Sequence, residues 1–322
     1  MVETKRLEDP LTLYGLSFSS RLLLGTARYD SPSLLADAIR AADPALLTVS
    51  ARRQLSGSKD SGQSFWNLVR ETQRTILPNT AGCLSAREAI KTACLARELF
   101  QTNLIKLEVI GDELNLQPDP FGLVEAATEL IKHGFKVFPH CTEDWVLCRR
   151  LIDAGCEVLM PWAAPIGTGQ GPRNPRALRE LRERAPNISM IVDAGIGLPS
   201  HACQVMEWGF DGVLVNTAVS RALDPVRMAG AFAQAIRSGR NAFLGGPVTI
   251  QETAAASTPE IGRALSFPIF YRNCLQLPDE ARSWRFCDPA NARKYRCGIG
   301  LAGNFIPCYF PDRSPFRLAL KI

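Results

Sequence analysis

The sequence predicts an α/β protein built as a closed (β/α)8 barrel, the TIM barrel architecture, followed by an irregular C-terminal extension. From residue 20 to about residue 240, short apolar runs alternate with amphipathic stretches, which is typical of βα units around a parallel sheet. The number of runs favours a closed barrel over an open sheet, because eight strands complete a TIM barrel. The eight predicted strands are Leu22–Gly25, Leu46–Ser50, Thr75–Pro78, Leu104–Ile110, Lys136–Pro139, Val158–Pro161, Met190–Asp193 and Gly212–Asn216.

The helices between these runs begin at capping residues. Ser85 precedes Glu88 by three positions, a capping-box pattern in which the two side chains satisfy the first helical N–H groups. Proline follows Asn174, Leu198 and Asp224, and proline is favoured in a first turn because its missing N–H needs no partner there. These signals place helices in the gaps between the predicted strands.

The composition is that of a globular chain without a membrane or export segment. The 322 residues are 46% hydrophobic and 21% charged, which suits one barrel of about 250 residues with an extension. No apolar run reaches the roughly 18 residues of a membrane span, and Met1 to Pro10 lacks the apolar core of a signal peptide. We therefore predict a cytoplasmic protein without membrane contact.

The C-terminal segment differs in character from the rest. Residues 265–322 hold nine Lys/Arg and four Asp/Glu, which accounts for the whole net charge of +5, whereas residues 1–264 are neutral. A neutral barrel argues against nucleic acid as a partner. We divide the chain into a barrel at 1–264 and a basic, aromatic- and Cys-rich tail at 265–322, expected to be poorly ordered or packed outside the barrel. An aberrant reading frame is an alternative explanation of the tail.

No cysteine pair has C-x-x-C spacing, which favours reduced thiols over a metal site or a disulfide framework.

A lysine and a glutamate share one face of the fourth predicted strand. Lys106 and Glu108 are two residues apart, so their side chains point the same way. In an antiparallel sheet the pair could lie on a solvated face, but both faces of a parallel barrel strand are covered. The pair is therefore predicted to point into the lumen and to serve a function.

Burial of Lys106 predicts an amine that attacks a carbonyl group. Apolar surroundings disfavour the ammonium form and leave more free amine for imine formation. Glu108 can carry protons during imine formation and tautomerisation, although its negative charge, if close, favours the ammonium form.

Three loops after predicted strands suit an anion. They are Ala164–Gly171 after the sixth strand, Asp193–Gly197 after the seventh and Asn216–Thr217 after the eighth. Many TIM barrels bind phosphate between the last two of these loops, and glycine lets backbone N–H groups approach a ligand. The predicted ligand is a small phosphorylated keto-sugar. Asp193, at the junction of strand and loop, is either a loop cap or a catalytic residue.

The histidines and Trp162 are less informative. His140 ends the fifth predicted strand and is a candidate for substrate contact at the rim. Trp162 follows the sixth strand, where packing and pocket shaping are equally good interpretations. His133 lies at a helix end, where the helix dipole favours a cation, and His201, in a first helical turn, is interpreted as a surface residue.

Six motifs occur in a fixed order along the chain. They are Ile76–Gly82, Ile105–Gly111, Met160–Pro161 with Ala164–Gly171, Val192–Gly197, Gly212–Ala218 and Ala254–Pro259. Each motif alone is weak, but together they resemble the thiazole synthases of thiamine biosynthesis, of the bacterial and plastid type, over about residues 10–264. The resemblance implies a (β/α)8 barrel and nothing about residues 265–322.

The resemblance also implies a reaction and its partners. Thiazole synthases condense 1-deoxy-D-xylulose 5-phosphate, dehydroglycine and the thiocarboxylate sulfur of a sulfur-carrier protein into the thiazole phosphate of thiamine. The resemblance implies no metal or organic cofactor. It implies a homo-oligomer, and the enzyme that supplies dehydroglycine is a further candidate partner. By motif position, Lys106 forms the imine with the sugar ketone, and Glu108 and Asp193 move protons. The residues implied to hold the sugar phosphate are Gly167, Ala194, Gly195, Asn216 and Thr217.

Three positions depart from the family pattern. Ala27 stands where a glycine is more common, His140 where a tyrosine is expected, and Trp162 where a smaller apolar residue is expected. These departures leave the shape of the pocket open. Two other functions are also compatible with the residues. One is another lysine-imine barrel such as an aldolase, and the other is a non-catalytic barrel that binds a sugar phosphate or docks a partner.

Overall fold

A computed structural model describes residues 9–52, 67–255, 257, 308–309 and 315–316. Its first compact unit, Met1–Val248, contains a closed barrel of eight parallel strands with helices between them. The predicted (β/α)8 barrel is therefore confirmed. The barrel strands are β3 (Leu22–Gly25), β4 (Leu46–Ser50), β5 (Thr75–Asn79), β6 (Leu104–Leu107), β9 (Lys136–Cys141), β10 (Val158–Pro161), β11 (Ser189–Asp193) and β12 (Gly212–Val215).

The barrel closes where its last strand pairs with its first. Each strand pairs in parallel with its neighbour in chain order, and β12 returns to β3 with Leu214 opposite Leu23. All eight carboxyl ends therefore meet at one rim, which is where TIM barrels place their functional residues.

Helices cover the outside of the barrel and begin at the caps that the sequence indicates. Ser85 accepts a hydrogen bond from the N–H of Glu88, and Asp224 accepts one from the N–H of Arg227. Residues 67–71 are also helical and precede β5. The other helices are α1 (Pro32–Ala42), α2 (Ala86–Phe100), α3 (Pro120–Lys132), α4 (Trp145–Asp153), α5 (Pro175–Arg184), α6 (Pro199–Glu207), α7 (Thr217–Ser220) and α8 (Pro225–Gly245).

A short hairpin that the sequence analysis did not predict closes the amino-terminal end of the barrel. Strands β1 (Leu11–Leu13) and β2 (Leu16–Phe18) are joined by Tyr14 and Gly15, both with positive φ, as a two-residue type I′ turn requires. The buried Leu11 and Leu13 pack against the apolar residues of the lumen. The Tyr14 hydroxyl donates a hydrogen bond to the carbonyl of Val137 on β9 at 2.6 Å.

The lumen itself is filled by one apolar cluster. Its strand residues come from all eight strands, as expected when alternate side chains of each strand point inward. They are Leu23, Leu46, Leu77, Leu104, Phe138, Val158, Met160, Ile191 and Leu214. A second, larger apolar cluster lies between the strands and the surrounding helices.

The fourth predicted strand is shorter than expected. We predicted Leu104–Ile110, but β6 ends at Leu107. Residues Ile110–Asp112 form β7, which pairs antiparallel with β8 (Gln117–Pro118) outside the barrel. Glu108 therefore lies just beyond the strand on which it was predicted.

The second compact unit, Thr249–Ile322, is described over few residues. Strands β13 (Cys308–Tyr309) and β14 (Pro315–Phe316) form an antiparallel pair. Most of the predicted tail at 265–322 lies outside the described residues, so its boundary and its irregular character stay predictions. No helix in the described part of the chain is long and apolar enough to cross a membrane.

Candidate active site

At the carboxyl-terminal rim, each barrel strand contributes one inward-facing position above the apolar lumen, and most of these positions carry polar side chains. Because side chains alternate along a strand, the residue two positions after an inward apolar residue also points inward. These ring positions are Gly25, Thr48, Asn79, Lys106, His140, Trp162, Asp193 and Asn216.

Lys106 contacts one carboxylate of this ring, Asp193, and one that lies just beyond its own strand, Glu108. Its Nζ lies 2.6 Å from Asp193 Oδ2 and 3.1 Å from Glu108 Oε1. The three residues are 6%, 2% and 5% exposed, respectively. The three predicted catalytic residues are therefore brought together and removed from solvent, although Asp193 belongs to a strand that is not a neighbour of β6.

Thr80 holds Glu108 in place where the strand has ended. The N–H of Glu108 donates to Thr80 Oγ1, and the same hydroxyl donates to the carbonyl of Glu108, both at 2.8 Å. Thr80 thus satisfies both backbone groups of Glu108 where strand pairing has stopped, and the Glu108 side chain contacts Lys106.

The carboxylates set the protonation state of Lys106. Burial lowers the pKa of Lys106, but the charges of Asp193 and Glu108 outweigh burial and hold that pKa above its usual value. Burial raises the pKa of Asp193, but Lys106 and His140 lower it by more, so that the pKa lies below the usual range of an aspartate. The two carboxylates thus produce the opposing effect expected from Glu108, and they favour the ammonium form of Lys106.

His140 is the fourth member of the cluster. It is fully buried, and its Nδ1 lies 2.9 Å from Asp193 Oδ2. The ring of Trp162 meets the imidazole edge-on, with 6.5 Å between ring centroids. The Trp162 Nε1 donates to Glu143 Oε2 at 2.5 Å, so Trp162 joins the buried cluster to the loop after β9.

Several polar atoms of this cluster lack aligned partners. Within the described residues, five buried side-chain polar atoms have no hydrogen bond of good geometry, and three of them are here: both ring nitrogens of His140 and Oδ2 of Asp193. Lys106 and His140 approach Oδ2 closely, but neither contact has the direction of a hydrogen bond. Buried polar atoms are usually satisfied, and exceptions concentrate at functional positions.

The glycine loops pack tightly against one another at the same rim. A Cβ on Gly195 would lie 2.6 Å from the Cα of Ala164, so the loops after β10 and β11 touch through their backbones. Gly195 has φ +73° and the preceding Ala194 has φ +69°, an unusual value for a residue with a side chain. Gly167, with φ +79°, faces Thr217, whose Oγ1 would be 3.9 Å from a Cβ on the glycine. The loops predicted to hold phosphate therefore form one continuous surface.

Asn216 fills the space above Gly25. With its amide oriented to satisfy its neighbours, the Asn216 side chain donates to the carbonyls of Ala27 at 3.0 Å and Gly25 at 3.2 Å. Its side chain thus ties β12 to the loop after β3. Binding of substrate by Gly167, Ala194, Gly195, Asn216 and Thr217 stays a prediction.

Two contacts around the site, made by His201 and Thr80, are not predicted by the sequence. His201 was interpreted as a surface residue, but its Nδ1 accepts from the N–H of Gly197 at 3.3 Å, and its ring occupies the space beside Gly171. Thr80 was part of a motif, yet its role as a clamp on Glu108 depends on where β6 ends. Neither contact has a local sequence signal.

An open cleft of about 420 Å³ adjoins the cluster on the side of Trp162. It lies between the loops after β9 and β10 and helix α5, and its lining includes Glu143, Trp162, Asn174 and Arg184. Trp162 therefore contacts both the buried histidine and the solvent-accessible cleft.

The barrel with a buried lysine and two carboxylates at its carboxyl-terminal rim defines the chain as a (β/α)8-barrel enzyme. The family model described as "Thiazole biosynthesis protein ThiG" matches residues 12–259. The chain belongs to this family, whose members are thiazole synthases, enzymes of thiamine biosynthesis.

Individual relatives agree with this assignment. The thiazole synthase of Ralstonia pickettii is 62% identical over 254 residues, 79% of this chain and 92% of that protein. The thiazole synthase of Neisseria meningitidis is 62% identical over 253 residues, 79% of this chain and 97% of that protein. Among solved structures, a chain of the Amycolatopsis orientalis BexX/CysO complex has a TM-score of 0.67 and 34% identity, covering 77% of this chain and all of that one.

Proposed function

We propose that this enzyme condenses 1-deoxy-D-xylulose 5-phosphate, dehydroglycine and the thiocarboxylate sulfur of a sulfur-carrier protein into the thiazole phosphate of thiamine. The reaction proceeds through an imine between Lys106 and the ketone of the sugar. The observation that carries the proposal is the position of Lys106 Nζ, buried and within 3.1 Å of two carboxylates.

Imine formation begins with a proton transfer. Because the carboxylates hold the pKa of Lys106 above its usual value, one of its protons passes to a neighbouring carboxylate before the amine attacks the ketone carbon. The protonated carboxyl returns that proton to the former carbonyl oxygen. The carbinolamine nitrogen loses a second proton, which leaves with the hydroxyl group as water, and the product is a protonated imine. Proton and charge balance are maintained, because both protons taken from nitrogen end in water.

Later steps need the same two carboxylates. Tautomerisation of the imine removes a proton next to the former ketone carbon, and sulfur addition and ring closure move further protons. Glu108 and Asp193 both lie within reach of Lys106 and are assigned to these transfers. The phosphate is assigned to the surface of Gly167, Ala194, Gly195, Asn216 and Thr217.

A separate carrier protein is the proposed sulfur donor. The related BexX chain occurs in a complex with a second protein, CysO, which supports a protein partner for barrels of this kind. The cleft is lined by Trp162, whose other side faces His140, and we assign the approach of the carrier's extended chain terminus to this side of the rim. The homo-oligomeric state and the source of dehydroglycine stay predictions.

Two alternative functions make different predictions. An aldolase-type barrel also uses a lysine imine but cleaves or forms a C–C bond without a sulfur carrier, so dependence on thiocarboxylate separates the two. A non-catalytic barrel would tolerate loss of Lys106. The buried cluster disfavours that alternative, because burying a lysine and two acidic side chains is costly without a use for them.

The test traps the imine with borohydride in the presence of 1-deoxy-D-xylulose 5-phosphate. We expect the wild-type chain to gain the mass of the reduced sugar adduct on Lys106, as located by peptide mass spectrometry. Lys106→Arg keeps the positive charge between the carboxylates but forms no imine, so it should give no adduct and no thiazole. The matched control is Lys132→Arg, a solvent-exposed lysine on α3. An equal adduct in Lys106→Arg would refute the assignment.

A further inference from the structure

His140 comes from a strand that lies between the strands of Lys106 and Asp193, the two residues of the shortest ion pair in the cluster. Along the closed barrel, β6, β9, β10 and β11 are consecutive, and they contribute Lys106, His140, Trp162 and Asp193 to the ring. Lys106 and Asp193 are therefore separated by two intervening strands and meet only because both reach into the lumen. His140 comes from one of those two strands and touches the carboxylate at the same oxygen as the lysine.

Packing alone does not account for this histidine. It is fully buried, yet neither ring nitrogen has an aligned hydrogen bond within the described residues. A buried imidazole without partners costs stability, whereas an apolar ring of similar size would not. The imidazole lies beside Oδ2 of Asp193, which also lacks an aligned hydrogen bond, so the two unsatisfied groups face each other.

The two carboxylates around Lys106 are held differently. Glu108 is fixed through its backbone by Thr80, and its side chain contacts Lys106 alone among the described charged groups. Asp193 Oδ2 is approached from two sides, by Lys106 at 2.6 Å and by His140 at 2.9 Å. Asp193 is thus the nearer carboxylate, and it has a second neighbour that can hold it as the proton moves.

We propose that His140 is a positioning residue for the imine chemistry: it holds the Asp193 carboxylate against Lys106, so that Asp193 rather than Glu108 receives the first ammonium proton. This inference rests on the proposed function, since it concerns the proton transfer that precedes attack on the sugar ketone. The proton passes from Lys106 Nζ to Asp193 Oδ2, leaving a neutral amine and a carboxylic acid. The same acid then protonates the oxygen of the carbinolamine.

The charges around Asp193 set the direction of the pH effect. Lys106 faces it from β6 with Glu108 beyond, His140 faces it from β9, and Glu143 lies farther off behind Trp162. Asp193 must be ionised to accept a proton. Burial raises the pKa of Asp193, and Lys106 and His140 lower it. Loss of the His140 contact therefore moves the acid limb of the rate profile to higher pH.

The experiment compares His140→Asn, His140→Gln and His140→Phe in single-turnover imine formation with 1-deoxy-D-xylulose 5-phosphate, quenched by borohydride across a range of pH. Asn places an amide nitrogen near the position of Nδ1, Gln near that of Nε2, and Phe keeps only the ring shape. We expect His140→Phe to slow imine formation by roughly 10- to 100-fold, the scale of a misplaced catalytic group. The half-saturating sugar concentration should hardly change, and the acid limb should move to higher pH.

The Asn variant should stay much closer to wild type than the Gln variant, which a role in packing alone would not produce. The control is His133→Asn on the exposed end of α3, with no expected change. Wild-type rate and pH profile in His140→Phe would overturn the proposal, as would equal losses in the Asn and Gln variants. If His140→Phe fails to fold, the comparison of Asn with Gln decides. Absence of any adduct in wild type would instead overturn the proposed function.

Discussion

Asn216, at the end of the last barrel strand, occupies the space that a side chain on Gly25, at the end of the first barrel strand, would need. A Cβ on Gly25 would lie 2.6 Å from Asn216 Cγ. The Asn216 amide also donates to the carbonyl of Gly25. The contact between the last and the first barrel strand therefore needs asparagine at position 216 and a residue without a side chain at position 25.

Gly25→Ala should therefore destabilise the barrel at its seam. The added methyl must displace Asn216, and overpacking of this kind costs about 1–3 kcal/mol. The free energy of unfolding in urea measures the loss. Gly245→Ala, at the end of α8 with nothing within 4 Å of the new Cβ, is the control and should be neutral or slightly stabilising. Equal stability of the two variants would show that Asn216 moves at no cost.

Asp193→Asn should remove stability in a pH-dependent way. The pKa of Asp193 is lower in the folded chain than the roughly 3.9 of an unfolded aspartate. The unfolded state thus binds the proton first, and the ion pair contributes stability above that value and loses it as pH falls below about 4. Breaking one side of a buried pair costs about 3 kcal/mol near neutral pH.

Urea unfolding of both proteins between pH 7 and pH 3 measures this difference. The gap in unfolding free energy between wild type and Asp193→Asn should narrow as the solution becomes acidic. A gap that stays constant over the whole range would contradict an ionised Asp193 in the folded state.

Gly195→Ala should weaken binding of the sugar phosphate more than Gly167→Ala. Both glycines have positive φ, so both substitutions carry a backbone cost of roughly 1–2 kcal/mol. Only at Gly195 does the methyl also collide with a neighbouring loop, at Ala164. The KM for 1-deoxy-D-xylulose 5-phosphate should rise roughly 10-fold in Gly195→Ala, comparable to the loss of one hydrogen bond.

Gly134→Ala is the matched control for backbone strain. Its φ is +79° with nothing within 4 Å of the new Cβ, and it lies at the end of α3 away from the glycine loops. It should lose stability with no change in KM. A similar KM increase in all three variants would mean that general destabilisation, rather than the loop surface, controls binding.

Truncation after Ala264 should leave the barrel folded and able to form the Lys106 imine. The family match ends at residue 259, so the shortened chain keeps all of it. Solubility, thermal unfolding and the borohydride adduct measure the outcome. Loss of folding would show that residues 265–322 belong to the barrel unit rather than forming an appendage.

The sequence predicts the barrel well because eight apolar runs and the caps between them are local signals. It fails at β6, where the alternation of Lys106 and Glu108 continues past Leu107 although strand pairing stops there. Thr80, from another loop, preserves the alternation, and no local pattern reveals such a partner. The N-terminal hairpin was missed for a similar reason. Leu11 and Leu13 are too few to predict a strand until they are seen packed beneath the lumen.

The protonation state of Lys106 is the clearest limit of the sequence argument. Burial of Lys106 favours a larger share of free amine, whereas the proximity of Glu108 favours the ammonium form. The balance is decided by Asp193, which lies 87 positions further along the chain and reaches Lys106 across the lumen. Distances between strands that are not neighbours are set by the whole barrel, so residue spacing could identify the participants but not the resulting charge.

The hairpin beneath the barrel has a consequence for the direction of approach. With Leu11 and Leu13 packed under the lumen residues, the described barrel has an apolar floor below Lys106, and its ionisable cluster lies at the opposite rim. A polar molecule that entered from the amino-terminal end would have to displace this apolar layer, which is unfavourable. The described residues therefore favour approach to Lys106 from the carboxyl-terminal rim for every reactant.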